Sequence, residues 1–472
     1  MATLKRKKIA KYQWINFSIW AIVYLLFTLW MGNVWLLPGL LVLIDIYLTK
    51  FIPWAAWKQS KNPTVKTILN WTDDILFALI AVYIINIFIF QNYQIPSSSL
   101  EKTLLVGDFL FVSKLSYGPR VPNTPISFPL VQNVLPILNC KSYIEWPNWG
   151  YKRVKGFGQV KRNDIVVFNF PAGDTVAVNM PNPDYYSLLK SDGRESIYLN
   201  KAKYGDVIYR PVDKRDNYVK RCVGMPGDSL QIVKNQLFIN GELLKDTKYV
   251  QHAYYVETDG TRITEEMFRR LQISKEDRII ASDNGRNFSF LQYLGFTPNS
   301  ENRFNPIYRL PLTTEAYEMI QKIQSIGKIV IEPDISWSDV YPVESDFGWR
   351  RDNYGPIWIP KKGATIVLDE KNLAIYHRCI RNFENNTLEI GQDGKARING
   401  SIAATYTFKY DYYWMMGDNR HGSADSRSWG FVPEDHIVGK PVFVWLSLDK
   451  DRGLFKGGIR WNRMFRMVDS FN

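Results

Sequence analysis

Over the first 91 residues the apolar side chains run in unbroken blocks, without the alternating or 3.6-residue stripes of a water-soluble fold. Three such blocks occupy about residues 14–31, 34–48 and 75–90. Each is near the short end of the ~17 to 25 residues that a bilayer-crossing helix needs. The pattern predicts a helical hairpin followed by a third span, the second block being the weakest because it holds Pro38 and Asp45. Lys5, Arg6, Lys7 and Lys8 resemble the charged head of a leader peptide, but no small-x-small site follows "LFTLWMGNVWLLPG", so the spans are expected to be retained. Lys50, Lys58, Lys61 and Lys66 separate the second block from the third, while the turn "MGN" between the first two carries no charge. Positive charge stays cytoplasmic, so three crossings put everything after residue 91 on the far side of the membrane.

Beyond Leu104 the period changes. Short β-branched and aromatic runs alternate with turn residues in "LLVGDFLFVSK", "RNDIVVFNFP", "NYVKRCVGMPGDSLQIVKNQLFINGELL" and "GKPVFVWLSL", which predicts a mainly antiparallel β domain. Within it, "QIVKNQLFINGELL" reads as a meander turning at Lys234-Asn235 and again at Asn240-Gly241. Between about 245 and 360 the chain becomes polar, with capped helical patterns starting at Thr264 and Thr313 and a Pro/Trp-rich run near 340–360. Strand patterns are expected to resume at "ATIVL" and "NLAIYHRCI". The resulting division is a membrane anchor over 1–94, a β domain in two parts over 95–244 and 363–472, and an inserted second domain over 245–362.

Composition narrows the partners. The chain has 472 residues, room for two or three domains. Its 59 Lys+Arg exceed 46 Asp+Glu by a net +13, and 15% of residues are aromatic, a balance that suits anionic lipid. Nucleic acid is not expected, because the basic residues are dispersed and no zinc-finger or aromatic RNA-binding signature is present. Three cysteines, Cys140, Cys222 and Cys379, exclude a disulfide scaffold and leave open whether Cys140 meets Cys379.

Chemistry enters at "PSSSLEKT", residues 96–103, directly after the last apolar block. Ser99 lies 8 residues past Gln91, so an extended linker keeps it within about 26 Å of the membrane surface. A serine attacks only when a base takes its proton. His421, in "HGSADS" with Ser423 and Asp425, reads as an exposed loop histidine, because triad members meet in space and rarely in sequence. Lysine serves instead if its pKa falls from ~10.4 toward neutrality, at roughly 1.4 kcal/mol per unit. Alternation in "NYVKRCVG" puts Tyr218, Lys220 and Cys222 on one strand face and Val219, Arg221 and Val223 on the other; a Lys-Arg pair on a solvated strand is the competing reading. Lys102 makes "SLEK" a Ser-x-x-Lys motif of the β-lactamase kind, and "SDN" at 282–284 offers a second element, but Lys-Thr-Gly is absent and "LEKTLLVGDFLFV" reads as turn and strand. In the remaining class of reading, "GDNR" is only a structural loop of a membrane-anchored β scaffold.

Four segments in order resemble the boxes of type I signal peptidases, membrane-bound serine/lysine endopeptidases that remove signal peptides from exported proteins. "PSSSLEKTLLVGDFLFVSK" resembles the nucleophile box and implies Ser99 as nucleophile, with the Ser97 hydroxyl and the Ser99 main-chain N–H as oxyanion donors. "RNDIVVFNFP" resembles the structural strand box. "YVKRCVGMPGD" resembles the lysine box and implies Lys220 as general base. "GDNRHGSADSR" is similar to the last box, implying that Ser423 orients the lysine while Asp418, Arg420, Asp425 and Arg427 brace the loop. Leu100 stands where the family has Met, and Lys102 where it commonly has Pro. Residues 245–360 and much of 115–160 have no counterpart in these boxes. The resemblance implies no metal ion or cofactor, signal peptides and the lipid bilayer as partners, and a multi-pass place in the bacterial cytoplasmic membrane with the β domain on the periplasmic face.

Overall fold

A computed structural model describes residues 10–54, 62–138, 140–283, 285–334, 340–453 and 457–471. The basic residues 5–8, Lys58 and Lys61, on which the expected orientation of the anchor partly rests, lie outside the described residues, as does Asn284 of the "SDN" tripeptide.

Two helices, Lys11–Met31 with 21 residues and Pro63–Phe88 with 26, are long and apolar enough to cross a membrane. The second starts well before the predicted block at 75 because Asn62 caps it, accepting from the N–H groups of Thr64 and Val65, with Pro63 at the first helical position. The middle block forms a shorter apolar helix over Val34–Thr49, broken where Pro38 and Asp45 stand. Asp45 folds back on its own terminus and accepts bonds from Thr49, Phe51, Ile52 and Trp54. Both long helices end against the β domain: the Trp30 indole donates to Lys155 O at 2.9 Å and the Tyr83 hydroxyl to Pro125 O at 2.6 Å.

The fold is mainly antiparallel β. Its largest sheet runs Phe90–Gln94, Asp108–Ser113, Ile437–Ser447, Ile165–Asn169, Asn217–Gly224, Tyr412–Met416 and Val432–Pro433, with Arg466–Met467 also against Ile437–Ser447. Strands from early and late in the chain therefore interleave in one sheet. The predicted meander forms as Ser229–Val233, Gln236–Ile239 and Glu242–Leu243, and Lys234, Asn235, Asn240 and Gly241 all take positive φ at its turns. Gly107 also has positive φ, and a Cβ there would fall 2.0 Å from Leu448 O, so only glycine permits the entry into Asp108–Ser113.

A separate four-stranded sheet, with Gln251–Thr258 and Ile307–Thr313 at its centre, carries its own apolar clusters around Leu310 and Leu291. Thr264 and Thr313 cap its helices, as their sequence pattern predicts. The strand Tyr354–Trp358 leaves this unit and pairs with Ser229–Val233. One expectation is corrected: "NLAIYHRCI" is helical, not a strand, with the α-helix Glu370–Arg378 running into a wider turn over Cys379–Phe383. Asp369 caps it through Asn372 N at 2.7 Å, and the buried Ile375, Tyr376, Cys379, Ile380 and Phe383 recur with helical spacing.

The main core gathers Tyr354, Tyr376, Phe408, Tyr412, Trp414 and Phe431. Trp414 is fully buried, with the Phe431 and Tyr354 rings 5.4 and 5.5 Å away. Trp146, by contrast, is 81% exposed. Trp414→Ala is expected to cost about 3–5 kcal/mol through the cavity it leaves, lowering the melting temperature of the full chain in detergent. Trp146→Ala should leave that temperature unchanged; equal shifts in the two variants would contradict this placement of the core.

Candidate active site

Ser99 sits in a single 3-10 turn, Ser98–Leu100, and is buried. The turn is held from below: Leu100 and Leu104 are almost wholly buried against Ile95, Leu110, Val112 and Ile165, so leucine fills the apolar seat expected for methionine. The first N–H groups of such a turn have no partner within it, and the N–H of Ser99 is one of these. Ser97 precedes the turn in extended conformation, is exposed, and does not cap it with its hydroxyl.

Lys220 comes from Asn217–Gly224, opposite Val166 in the neighbouring strand. Its side chain is 5% exposed, and Nζ donates to Ser99 Oγ at 2.6 Å. Burial lowers its pKa from the ordinary lysine value to about 8, and the carboxylates of Asp425 and Asp418 keep it from falling further. The Tyr218 ring lies 5.9 Å from the amine. The solvated-strand reading is thereby corrected, since Arg221 is buried as well, at 1% exposure. Its guanidinium grips Asp418 through Nε at 2.8 Å and Nη2 at 2.7 Å.

The loop between Tyr412–Met416 and Ser426–Trp429 closes over the serine turn. Asn419 N–H donates to Ser99 O at 3.1 Å, and its side-chain amide to Ser98 O at 3.3 Å. Thr103 Oγ1 donates to Asp418 at 2.6 Å, tying the loop to the chain just beyond the serine turn. Asp425 accepts from Arg427 Nε and Nη2 and from Gly417 N–H. Burial pushes the Asp425 carboxyl up, but Arg427, Gly417 N–H and Lys220 more than reverse this and hold it below the usual range.

Several expected partners differ from their observed ones. Arg420 pairs with Asp246 at 3.0 Å, outside the loop it was expected to brace from within. Ser423 stands beside Gly417 and the Ser99 carbonyl, but its hydroxyl donates to Ala424 O at 3.4 Å, and no bond to Lys220 occurs among the described residues. His421 is not an exposed loop residue: its side chain is fully buried. Lys102 is buried with positive φ, and its amine, also lowered to about 8 by burial, bonds neither Ser99 nor any other described group. The adjacent Glu101 carboxyl is pushed up to about 7 by burial. Cys140 is exposed while Cys222 and Cys379 are buried, and all three thiols are free. No cluster of metal-ligating side chains occurs among the described residues.

Sequence reading missed Arg221 and Thr103 as parts of the site, and placed Asn419 among the polar groups of a rigid loop without its contacts to the Ser98 and Ser99 carbonyls. The available signal was Arg221 itself: a cation between apolar strand residues is seldom buried unless a carboxylate meets it.

A buried serine bonded to a buried, weakly basic lysine, on an antiparallel β scaffold behind apolar helices, has the make-up of a membrane-anchored serine hydrolase. Comparison with known proteins gives the same class. The sequence pattern of the family described as "Signal peptidase, peptidase S26" matches residues 68–300 and 360–446, so this chain belongs to that family and is a serine endopeptidase. A similar protein is "Signal peptidase I" of Buchnera aphidicola (subsp. Acyrthosiphon pisum), 24% identical over 414 residues that cover 86% of this chain and 83% of the relative. "Signal peptidase I" of Haemophilus influenzae is 23% identical over 417 residues, covering 87% and 79%. That of Pseudomonas fluorescens is 28% identical over 401 residues, covering 83% and 75%.

Gly417 tests the fit of loop on turn. A Cβ there would fall 2.6 Å from Ser99 O and 2.2 Å from Ser423 Oγ. Gly417→Ala is therefore expected to lower peptidase activity about 100-fold, the scale of a 1 Å misplacement, with little change in melting temperature. Wild-type activity in this variant would contradict the close packing.

Proposed function

We propose that this protein removes signal peptides from exported preproteins, with Ser99 as nucleophile and Lys220 as general base. The observation that carries the reading is the 2.6 Å contact between the Lys220 amine and the Ser99 hydroxyl. In its neutral form the amine takes the hydroxyl proton as Oγ attacks the scissile carbonyl. The Ser99 N–H, with the Ser97 hydroxyl turned toward it, stabilises the tetrahedral oxyanion. Collapse releases the mature chain as its new amino terminus takes the proton from Lys220, leaving the signal peptide esterified to Ser99. Water, deprotonated by the same amine, then hydrolyses that ester. Asp418, paired with Arg221, and Asp425, paired with Arg427, keep the loop and its charge beside the lysine, and Ser423 is proposed to orient the amine when substrate is bound. Arg420 acts from the side, through Asp246.

The substrate is read as an extended peptide with small residues at the first and third positions before the cut, laid along strand edges beside the serine turn. Its helical part remains in lipid, which explains why the serine follows the last helix so closely. We also propose that the chain is multi-pass and that the β domain lies outside the cytoplasm, on the periplasmic face of a bacterial cytoplasmic membrane. Trp30 and Tyr83, near the ends of the two long helices, both bond to the β domain, so Lys50 and Lys66 fall at the opposite membrane face, as positive charge requires. The exposed Phe128, Leu130, Trp146 and Trp149 are suited to rest in the headgroup layer there. The division into an anchor over 1–94, a two-part β domain and an insertion over 245–362 is proposed on the same footing, supported by the insertion's own sheet and clusters.

Ser99→Ala and Lys220→Ala should each cut preprotein cleavage in detergent by at least about 1,000-fold, the scale on which catalytic serines and bases act. Cleavage by the wild type should rise with pH, because only the neutral amine is a base, with its midpoint near the Lys220 value of about 8. Near wild-type rates in either variant, or a midpoint near 10.5, would overturn the assignment.

A further inference from the structure

The contacts of the catalytic loop with the β domain account for one of its sides. The other side rests on the inserted segment. Gln251, first residue of Gln251–Thr258, donates its N–H to Asp418 O at 2.9 Å and accepts from Arg420 N–H at 2.9 Å, so the loop is paired to this strand on both sides of Asn419. Immediately after this pairing the His421 ring turns into the protein and is fully buried. Its Nδ1 lies 3.4 Å from Glu332 Oε2 and its Nε2 3.3 Å from Asp352 Oδ2. Ala253 N is 3.3 Å from Nδ1, the Asn235 side chain 3.1 Å from Nε2, and the His252 ring meets it edge to face at 5.3 Å.

Both carboxylates are themselves fixed. Arg309 holds Glu332 with two bonds, at 3.2 and 2.7 Å, and Arg351 holds Asp352 at 3.1 and 3.2 Å. A ring flanked at each nitrogen by an anchored carboxylate, with the Ala253 N–H and the Asn235 side chain also at those nitrogens, is set in position and in rotation, which one contact would not achieve. Two residues earlier, Asn419 holds the carbonyls of Ser98 and Ser99. The route from Glu332 and Asp352 to the nucleophile is thus a short, continuous series of direct contacts. Removing the ring would leave the buried Asp352 and the part-buried Glu332 facing an empty space, without the ring packed between them.

We infer that His421 is a positioning residue of the peptidase reaction: through it the inserted segment, by Glu332 and Asp352, fixes the loop that holds the Ser98–Ser99 main chain. The inference rests on the Ser99–Lys220 reading and gives the insertion a task, that of a brace on the active site. Because His421 touches no reacting atom, its loss should slow turnover without weakening substrate binding.

The test uses the full chain in detergent with a preprotein substrate, measuring kcat, KM and melting temperature. His421→Ala is expected to lower kcat about 10- to 100-fold while KM stays within about threefold. Glu332→Gln and Asp352→Asn keep side-chain shape and stand in if the alanine variant does not fold. Each should lower kcat at least about fivefold, and each paired with His421→Ala should lose less than the product of the single effects. Turnover within twofold of wild type in all the variants that fold would overturn the inference, as would kcat, KM and melting temperature falling together. Ser99→Ala and Lys220→Ala are assayed alongside. If those two are inactive and the His421 variants normal, only this inference fails; if either retains activity, the Ser99–Lys220 reading fails instead.

Discussion

An amine that has given up its water to lie against a hydroxyl is the constraint around which this protein is built. Moving the Lys220 pKa from 10.5 to about 8 corresponds to roughly 3 kcal/mol lost at neutral pH. That cost is largest below about pH 8, where both the folded and the unfolded chain hold the proton, and it shrinks as pH rises toward 10.5 and the unfolded chain gives its proton up. The rest of the fold offsets it. Trp414 and Phe431 anchor the strand neighbouring the lysine, while Leu100 and Leu104 seat the serine turn. The buried Asp418–Arg221 and Asp425–Arg427 pairs supply charge without adding a net field strong enough to restore the full basicity of the lysine.

Geometry relative to the membrane follows from the same centre. The last long helix ends at Phe88, the strand Phe90–Gln94 begins two residues later, and the serine turn follows at Ser98. With so little chain between the apolar helix and Ser99, the serine turn is held close to the end of that helix. The loop around Ser99 is in turn built from distant parts of the chain: Asn419 over its carbonyl, Arg463 on Thr103 O, and Gln251 behind the loop. On the proposed reading, in which the substrate emerges from lipid, a fixed site serves better than a mobile one.

What the sequence disclosed was local or periodic. The Lys234-Asn235 and Asn240-Gly241 turns and the Thr264 and Thr313 caps depend on neighbouring residues, and all formed as expected. The family was legible because its motifs are short and ordered. Pairings across long separations were not: Arg221 meets Asp418 197 positions away, and no local pattern announces it. The strand reading of "NLAIYHRCI" failed because β-favouring side chains outweighed the helical recurrence of its buried positions and the Asp369 cap. His421 was taken for a surface residue because its two carboxylate partners come from a segment that the motifs do not cover.

The most direct test of the central claim is to titrate the Lys220 side chain itself. In protein carrying lysine labelled at Cε, the resonance of Lys220 is assigned by its disappearance in Lys220→Arg and followed by NMR from pH 6 to 11. A midpoint near 8 is predicted, with a change in shift when Ser99 is replaced by alanine. A midpoint near 10.5, indifferent to Ser99, would contradict the account.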